Sequence, residues 1–288
     1  MENVLEINNL RKDYGDFCLR DVSFSLPQGY IMGLIGPNGA GKTTIIKLIM
    51  NLIMKQKGSI RVFGKDHIEH EVDVKSRIGF VYDNPNYYEH LNLKQIKNII
   101  RPFYKGWDEQ MFMNLVDKFE LPLNKNIRKF SRGMVMKAAI AMALSHHADF
   151  IIMDEPTSGL DPIFRRELLN LLYELLQSEK KSILFSTHIT SDIERIADYI
   201  TFILNGEIVF SKSKDEVMEN YAVIKGGNDL LDKETKKHFK GIHKNEFGFE
   251  ALTADKNNMA KIFGDKVIIE KATLEDIMYY SNLKNGNA

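Results

Sequence analysis

Apolar residues follow three different rhythms along this chain. Val4 to Leu10, and then Arg20-Asp21-Val22-Ser23-Phe24-Ser25-Leu26, alternate apolar and polar side chains. That is the pattern of strands with one face buried, and Pro27-Gln28-Gly29 closes the second of them in a turn. Tyr30-Ile31-Met32-Gly33-Leu34-Ile35, Arg77 to Tyr82, Asp149 to Met153 and Ser182 to Ser186 are short, nearly unbroken apolar runs. Such runs predict strands covered on both faces; Ser59 to Phe63, ending at Gly64, predicts another strand. Between about 90 and 146 the period becomes helical, over Leu93–Tyr104, Asp108–Phe119 and Gly133–His146, with Pro102 and Pro122 as punctuation. Pro162 to Gln177 is an amphipathic helix whose leucine stripe reads as core packing. Asp198–Leu204 and Gly206–Phe210 form a hairpin around Asn205-Gly206. From Tyr221 onward, short strands and lysine-rich helices predict a small α/β appendage, with Asp232 to Lys237 as a solvated helix face.

The run Gly36-Pro37-Asn38-Gly39-Ala40-Gly41-Lys42-Thr43-Thr44 sits between a buried strand and a helix opening at Ile45. It fits G-x-x-x-x-G-K-[ST] in the strand–loop–helix context that this phosphate-binding pattern requires. Glycines let the backbone wrap phosphates with its N–H groups turned inward, and the helix adds its positive end. Lys42 is placed to reach β- and γ-phosphates, and the Thr43 hydroxyl to hold Mg²⁺.

Farther along, Phe150-Ile151-Ile152-Met153 delivers Asp154-Glu155 at a strand's carboxyl end, where open α/β sheets bind ligands. With a phosphate loop upstream, Asp154 becomes a second Mg²⁺ ligand and Glu155 a base for an attacking water. Two residues have two local readings each. Tyr14 is either a purine-stacking aromatic or a turn residue over a sheet edge, and His188 either a γ-phosphate or water contact or a structural histidine.

Composition narrows the setting. The 288 residues suit one large domain, or one domain with a small appendage, and 44% hydrophobic content allows a sizeable core. A formal net charge of zero gives no global pull toward nucleic acid or an anionic membrane. The single cysteine, Cys18, can form no internal disulfide, which fits a reducing compartment. No signal peptide is visible, and no apolar run approaches the ~20 residues that span a bilayer. The expectation is a soluble, cytoplasmic protein whose action at a membrane needs another chain. His67/His70 and His146/His147 are close pairs lacking a nearby third ligand.

Phosphate loop, Asp83 strand end, Lys129-Phe130-Ser131-Arg132-Gly133-Met134, Asp154-Glu155-Pro156-Thr157-Ser158-Gly159-Leu160-Asp161 and His188 stand in one order. Over roughly 1–210 this resembles the ATP-binding subunit of ABC transporters. The resemblance implies an α/β P-loop NTPase fold: a RecA-like core, an antiparallel β subdomain and an inserted helical subdomain at about 84–148. It divides the chain into 1–215 as ATPase domain and 216–288 as a C-terminal accessory α/β domain. It assigns Tyr14 to adenine stacking, and Gly36, Asn38, Gly39, Ala40, Gly41, Lys42, Thr43 and Thr44 to the nucleotide. Thr43, Asp83 and Asp154 go to Mg²⁺, Glu155 to catalysis with His188, and Ser131 and Gly133 to the γ-phosphate of a second subunit.

The resemblance also implies ATP and Mg²⁺ as cofactors, a separate membrane permease, and a copy or paralogue as partner in a head-to-tail nucleotide sandwich, with no nucleic acid. Two positions depart from the family pattern. Its signature usually reads Leu-Ser-Gly-Gly-Gln where this chain has Phe130 to Met134, and Asp83 replaces the usual glutamine. The length and the ending Thr273-Leu274-Glu275-Asp276-Ile277 resemble ABC-2-type exporters, in particular Gram-positive exporters of antimicrobial or cytolytic peptides, and Gly79-Phe80-Val81-Tyr82-Asp83 with Arg132-Gly133-Met134 resembles the phenol-soluble modulin exporter group. The rival class is a soluble ABC ATPase working mechanically on nucleic acid or ribosomes. Those proteins carry coiled coils, zinc motifs or tandem cassettes, which this sequence lacks.

Overall fold

The computed structural model describes residues 2–85, 87–179 and 181–283, with side chains at 177–179 left undescribed. Its core is a six-stranded sheet in the order Glu207–Ser213, Tyr199–Leu204, Ile31–Ile35, Ser182–Thr187, Phe150–Asp154, Ile78–Val81. The last four pair in parallel, Ile31 with Ile183, Phe150 with Ser182 and Ile78 with Phe150. Three of these strands are wholly buried, as strands covered on both faces are.

The alternating segments form a separate antiparallel sheet, ordered Cys18–Pro27, Asn3–Asp13, Lys57–Val62, Lys65–Asp66. The helical stretch contains Leu93–Ile100, Glu109–Lys118 and Arg132–Leu144. Asn92, Asp108 and Ser131 each cap one of these through a backbone N–H of the first turn. The first helix is shorter than its apolar period, because Pro102 tightens its end into a 3₁₀ turn over Arg101–Phe103.

The chain divides into two compact units. One holds the chain up to His188 together with Thr201–Val209, and the other holds Ile189–Ile200 and the chain from Phe210 onward. In the second unit a four-stranded antiparallel sheet runs in the order Phe239–Asn245, Gly248–Thr253, Ala222–Gly226, Ile268–Lys271. That is the strand order of a split β-α-β, ferredoxin-like unit, with 3₁₀ turns where the first helix would stand. Met259 and Phe263 of the helix Lys256–Phe263 pack with Ala222, Ile224, Phe239, Phe249 and Ala251 on one face. On the other face the Tyr280 hydroxyl donates to Glu250.

The segment Asp232–Lys237 departs from the helix face expected of it. The Asp232 carboxylate accepts from the Glu234 and Thr235 backbone N–H groups, and this Asx turn leads only into the 3₁₀ turn Thr235–His238. Among the described residues, no helix is long and apolar enough to cross a membrane.

Candidate nucleotide site

Three parallel strands end side by side, and their register sets the site. Ile35 lies beside Thr187, and Ser186 is partnered on one side by Leu34 and on the other by Asp154. The phosphate loop, the two acids and the histidine therefore leave the sheet at one edge.

The loop turns into the helix Lys42–Ile49 through Gly41 at φ 114°. A Cβ there would meet Leu19 Cδ2 at 2.6 Å and Phe17 Cζ at 3.0 Å, so conformation and space both require glycine. The helix has no capping side chain and no acid in its first turn, which leaves its leading N–H groups to an anion. Lys42 is buried, and its Nζ donates to Gly36 O at 2.8 Å and Pro37 O at 3.2 Å and stands 3.3 Å from Glu155 Oε1. The ammonium thus occupies the mouth of a loop whose carbonyls and one carboxylate satisfy it. Asn38 and Gly39 are exposed at the tip, Ala40 is buried with its carbonyl accepting from Gly206 N, and Thr43 and Thr44 are half-buried on the helix.

Asp154 is fully buried. Its Oδ1 accepts from Ser186 Oγ at 2.5 Å, while Oδ2 has no hydrogen-bond partner. Burial pushes its pKa up; the Ser186 and Thr43 hydroxyls pull it down, and the charges of Asp83 and Glu155 push it up again. A buried carboxylate oxygen without a donor is the defect that a cation repairs. Among the described residues no three His, Cys, Asp or Glu side chains converge to hold a metal alone. A hard cation here would be held by Thr43, Asp154 and phosphate oxygens together, the manner in which Mg²⁺ binds beside nucleotides. On that test the residues present fit the ion.

Glu155 adopts φ 47°, a left-handed conformation costing a side-chain-bearing residue about 1–2 kcal/mol. Its N–H is shared between Ser186 O and Ser186 Oγ, both at 3.1 Å, and His188 Nδ1 lies 2.8 Å from its Oε2. One oxygen of Glu155 thus faces Lys42 and the other His188. Ser186, absent from the residues expected from sequence, touches both acids. The signal that could have found it is its position at the end of the apolar run beside the one ending in Asp154.

Tyr14 is 53% exposed, with Lys12 Nζ 5.3 Å above its ring, in a turn closed by its own N–H to Phe17 O. Lys47, one and a half helical turns beyond Lys42, lies 5.6 Å from the Tyr82 ring. Tyr82 raises its pKa most, against the effect of burial, and Asp83 and Tyr14 add to the rise. Lys47 is thus a second residue that sequence reasoning passed over, standing between the helix and the Asp83 segment. Ser131 and Gly133 open the helix Arg132–Leu144 and stand outside the Lys42–Glu155–His188 cluster. The remaining close histidines serve the fold: His67 Nδ1 meets Ile60 O and His146 Nε2 meets Ile78 O, both at 3.1 Å.

A family model described as ABC transporter matches residues 19–158. A lantibiotic transport ATP-binding protein of Streptococcus pyogenes is 36% identical over 215 residues, covering 74% of this chain and 92% of that protein. The chain belongs to the ABC transporter family as an ATP-binding subunit. A bacitracin transport ATP-binding protein of Bacillus licheniformis is 32% identical over 73% of this chain and 69% of its own length. Among solved structures, an ATP-binding subunit of an ABC transporter superposes with TM-score 0.68 at 30% identity, over 75% of this chain and 92% of that one. A dimeric ATP-binding cassette bound to ADP and Pi reaches 0.65 at 22% identity, over 73% and 98%, and shares the fold. The P-loop NTPase architecture expected from the sequence is therefore the observed one, and the activity of this ABC ATPase is ATP hydrolysis coupled to transport.

Proposed function

We propose that this chain drives export of an amphipathic or antimicrobial peptide through a separate membrane subunit, and that two ATPase subunits enclose the nucleotide head to tail. The substrate class rests on the lantibiotic and bacitracin relatives. The observation that carries the catalytic reading is the gathering of Lys42, Asp154, Glu155 and His188 at one sheet edge.

Each residue then has a task. Lys42 exchanges Glu155 and the loop carbonyls for β- and γ-phosphate oxygens. Glu155, released from Lys42, orients water and accepts its proton at Oε1, while His188 holds Oε2 in place. Tyr14 stacks on the adenine. Gly36 and the backbone from Asn38 to Thr44 line the phosphates. Thr43, Asp83 and Asp154 are the residues to hold Mg²⁺, which when bound neutralises charge on the β- and γ-phosphates. Ser131 and Gly133 meet the γ-phosphate held by the partner subunit's loop.

The test is co-purification with a co-expressed multi-spanning membrane protein from an adjacent gene, where one is found, followed by ATPase assays in lipid. Stimulation by an amphipathic peptide and none by an unrelated soluble peptide is expected. Co-purification with nucleic acid or ribosomes instead would refute the transport reading.

A further inference from the structure

The helix Arg132–Leu144 breaks a local rule. Arg132 occupies its first position, where the helix dipole is positive, and no acid stands in the first turn. Among the described residues no carboxylate lies within salt-bridge distance of it. A charge placed against the helix field without an acidic partner is a local conflict of the kind that functional sites carry.

The guanidinium has a neighbour of another kind. Gly159 adopts φ 72°, and a Cβ built on it would lie 3.2 Å from Arg132 Nη1, 3.4 Å from Cζ and 3.5 Å from Nε. All three distances are close together, so the planar group turns its face to the place a side chain on residue 159 would take. Beside it, Gly133 faces Leu160, with Leu160 Cδ2 at 3.8 Å from a Cβ position. The helix opening and the Gly159-Leu160 loop form one packed layer.

That loop begins at Glu155. Ser158 N donates to Glu155 O at 3.1 Å and Leu160 N to Thr157 O at 3.3 Å, so two interlocked turns join the strained acid to the glycine under Arg132. Asp161 Oδ1 then accepts from Ile163 N and Phe164 N, anchoring the far end to the helix Pro162–Glu179. The loop is thus hydrogen-bonded at both ends, at Glu155 and at Asp161.

We propose that Arg132 is a positioning residue for Glu155: its guanidinium, stacked on Gly159, ties the opening of the Arg132–Leu144 helix to the turns that set the acid. The consequence rests on the head-to-tail reading given above. Ser131 and Gly133 serve the partner's nucleotide, whereas Glu155 serves its own. The Arg132–Gly159 contact therefore carries the occupancy of one site to the acid of the other, inside a single chain. The planar group does this work, so its charge alone does not suffice.

The test compares Arg132→Ala and Arg132→Lys in the full-length chain. Measured are ATP affinity in the absence of turnover, kcat, and the Hill coefficient of hydrolysis against ATP. In both variants ATP affinity stays within about twofold, because Lys42 and its loop are untouched, while kcat falls roughly ten- to hundredfold as for a misplaced reacting group. The Hill coefficient falls toward one, which a merely structural loss would not produce.

Wild-type kcat in Arg132→Lys overturns the proposal, because charge without the plane would then be enough. An unchanged kcat in Arg132→Ala overturns it as well, and an unchanged Hill coefficient with lowered kcat removes the coupling. If the wild type itself shows no cooperativity, and its Glu155→Gln variant forms no ATP-dependent dimer, the head-to-tail reading fails. The coupling falls with it, while kcat at constant affinity still judges the positioning of Glu155.

Discussion

Ser186→Ala removes one oxygen from the centre of the site. Ser186 is fully buried, donates to Asp154 Oδ1 at 2.5 Å and accepts from Glu155 N at 3.1 Å. Glu155 N keeps the Ser186 carbonyl at 3.1 Å, so it is not orphaned. Asp154 loses its hydroxyl donor while Oδ2 already has no partner. A hydrogen bond to a buried charged group contributes about 1.5–3 kcal/mol, and leaving the acceptor bare forfeits most of that, so the expected cost is about 2 kcal/mol. For a unit of this size that lowers the melting temperature by roughly 4–8 °C.

The only tryptophan, Trp107, belongs to the unit that contains the site. Its fluorescence in a urea titration therefore reports on that unit alone, which matters because two units need not unfold together. Combined with Asp154→Asn, the serine effect should shrink to about 1 kcal/mol, since the acceptor is then neutral. A cost below about 0.5 kcal/mol in the wild-type background would mean that Ser186 does not support an ionised Asp154.

Asp154→Asn is expected to stabilise the nucleotide-free protein. Burial raises the folded-state pKa of Asp154 above its ordinary 3.8, so its contribution is most favourable below that value and is lost as pH rises through the raised one. At neutral pH the ionised carboxylate therefore works against folding. Melting curves should show the variant gaining on the wild type from about pH 4 upward and failing to respond to Mg²⁺ with ATP; a variant less stable at neutral pH would contradict this. In the second unit, Tyr280→Phe removes the 2.8 Å hydrogen bond to Glu250. Glu250 is 40% exposed, so the expected cost is only about 0.5–1 kcal/mol. The Tyr280 hydroxyl, and then Lys225, hold the Glu250 pKa below its ordinary 4.5 against burial, so this stability is present above that value and disappears on acidification. Denaturation at neutral and at acid pH separates the two regimes.

The parts of the site that announced themselves were those with local grammar. The phosphate loop carries its own glycines, and Asp154 follows an apolar run that fixes both its strand and its end of the strand. Ser186 carried no such mark: it matters because two parallel strands, 32 residues apart at Asp154 and Ser186, share a register. Arg132 was conspicuous as a departure, but its partner Gly159 was not, because that contact joins a helix opening to a loop across tertiary space. The second unit shows the opposite limit. Its strands were foreseeable in kind, whereas their order depends on long-range pairing between Ala222–Gly226 and Gly248–Thr253. Asp232 to Lys237 misled because charged residues suit an exposed helix, yet the Asp232 carboxylate captured the backbone first.

The two-subunit site and the role of Glu155 meet in one measurement, the size of the Glu155→Gln chain with ATP. The amide cannot accept the proton of water, but Lys42, the loop and the signature residues are intact, so ATP-dependent doubling of the 33.2 kDa mass is expected, with hydrolysis nearly abolished. A variant that stays monomeric at saturating ATP and hydrolyses it at the wild-type rate would contradict both the role of Glu155 and the two-subunit site.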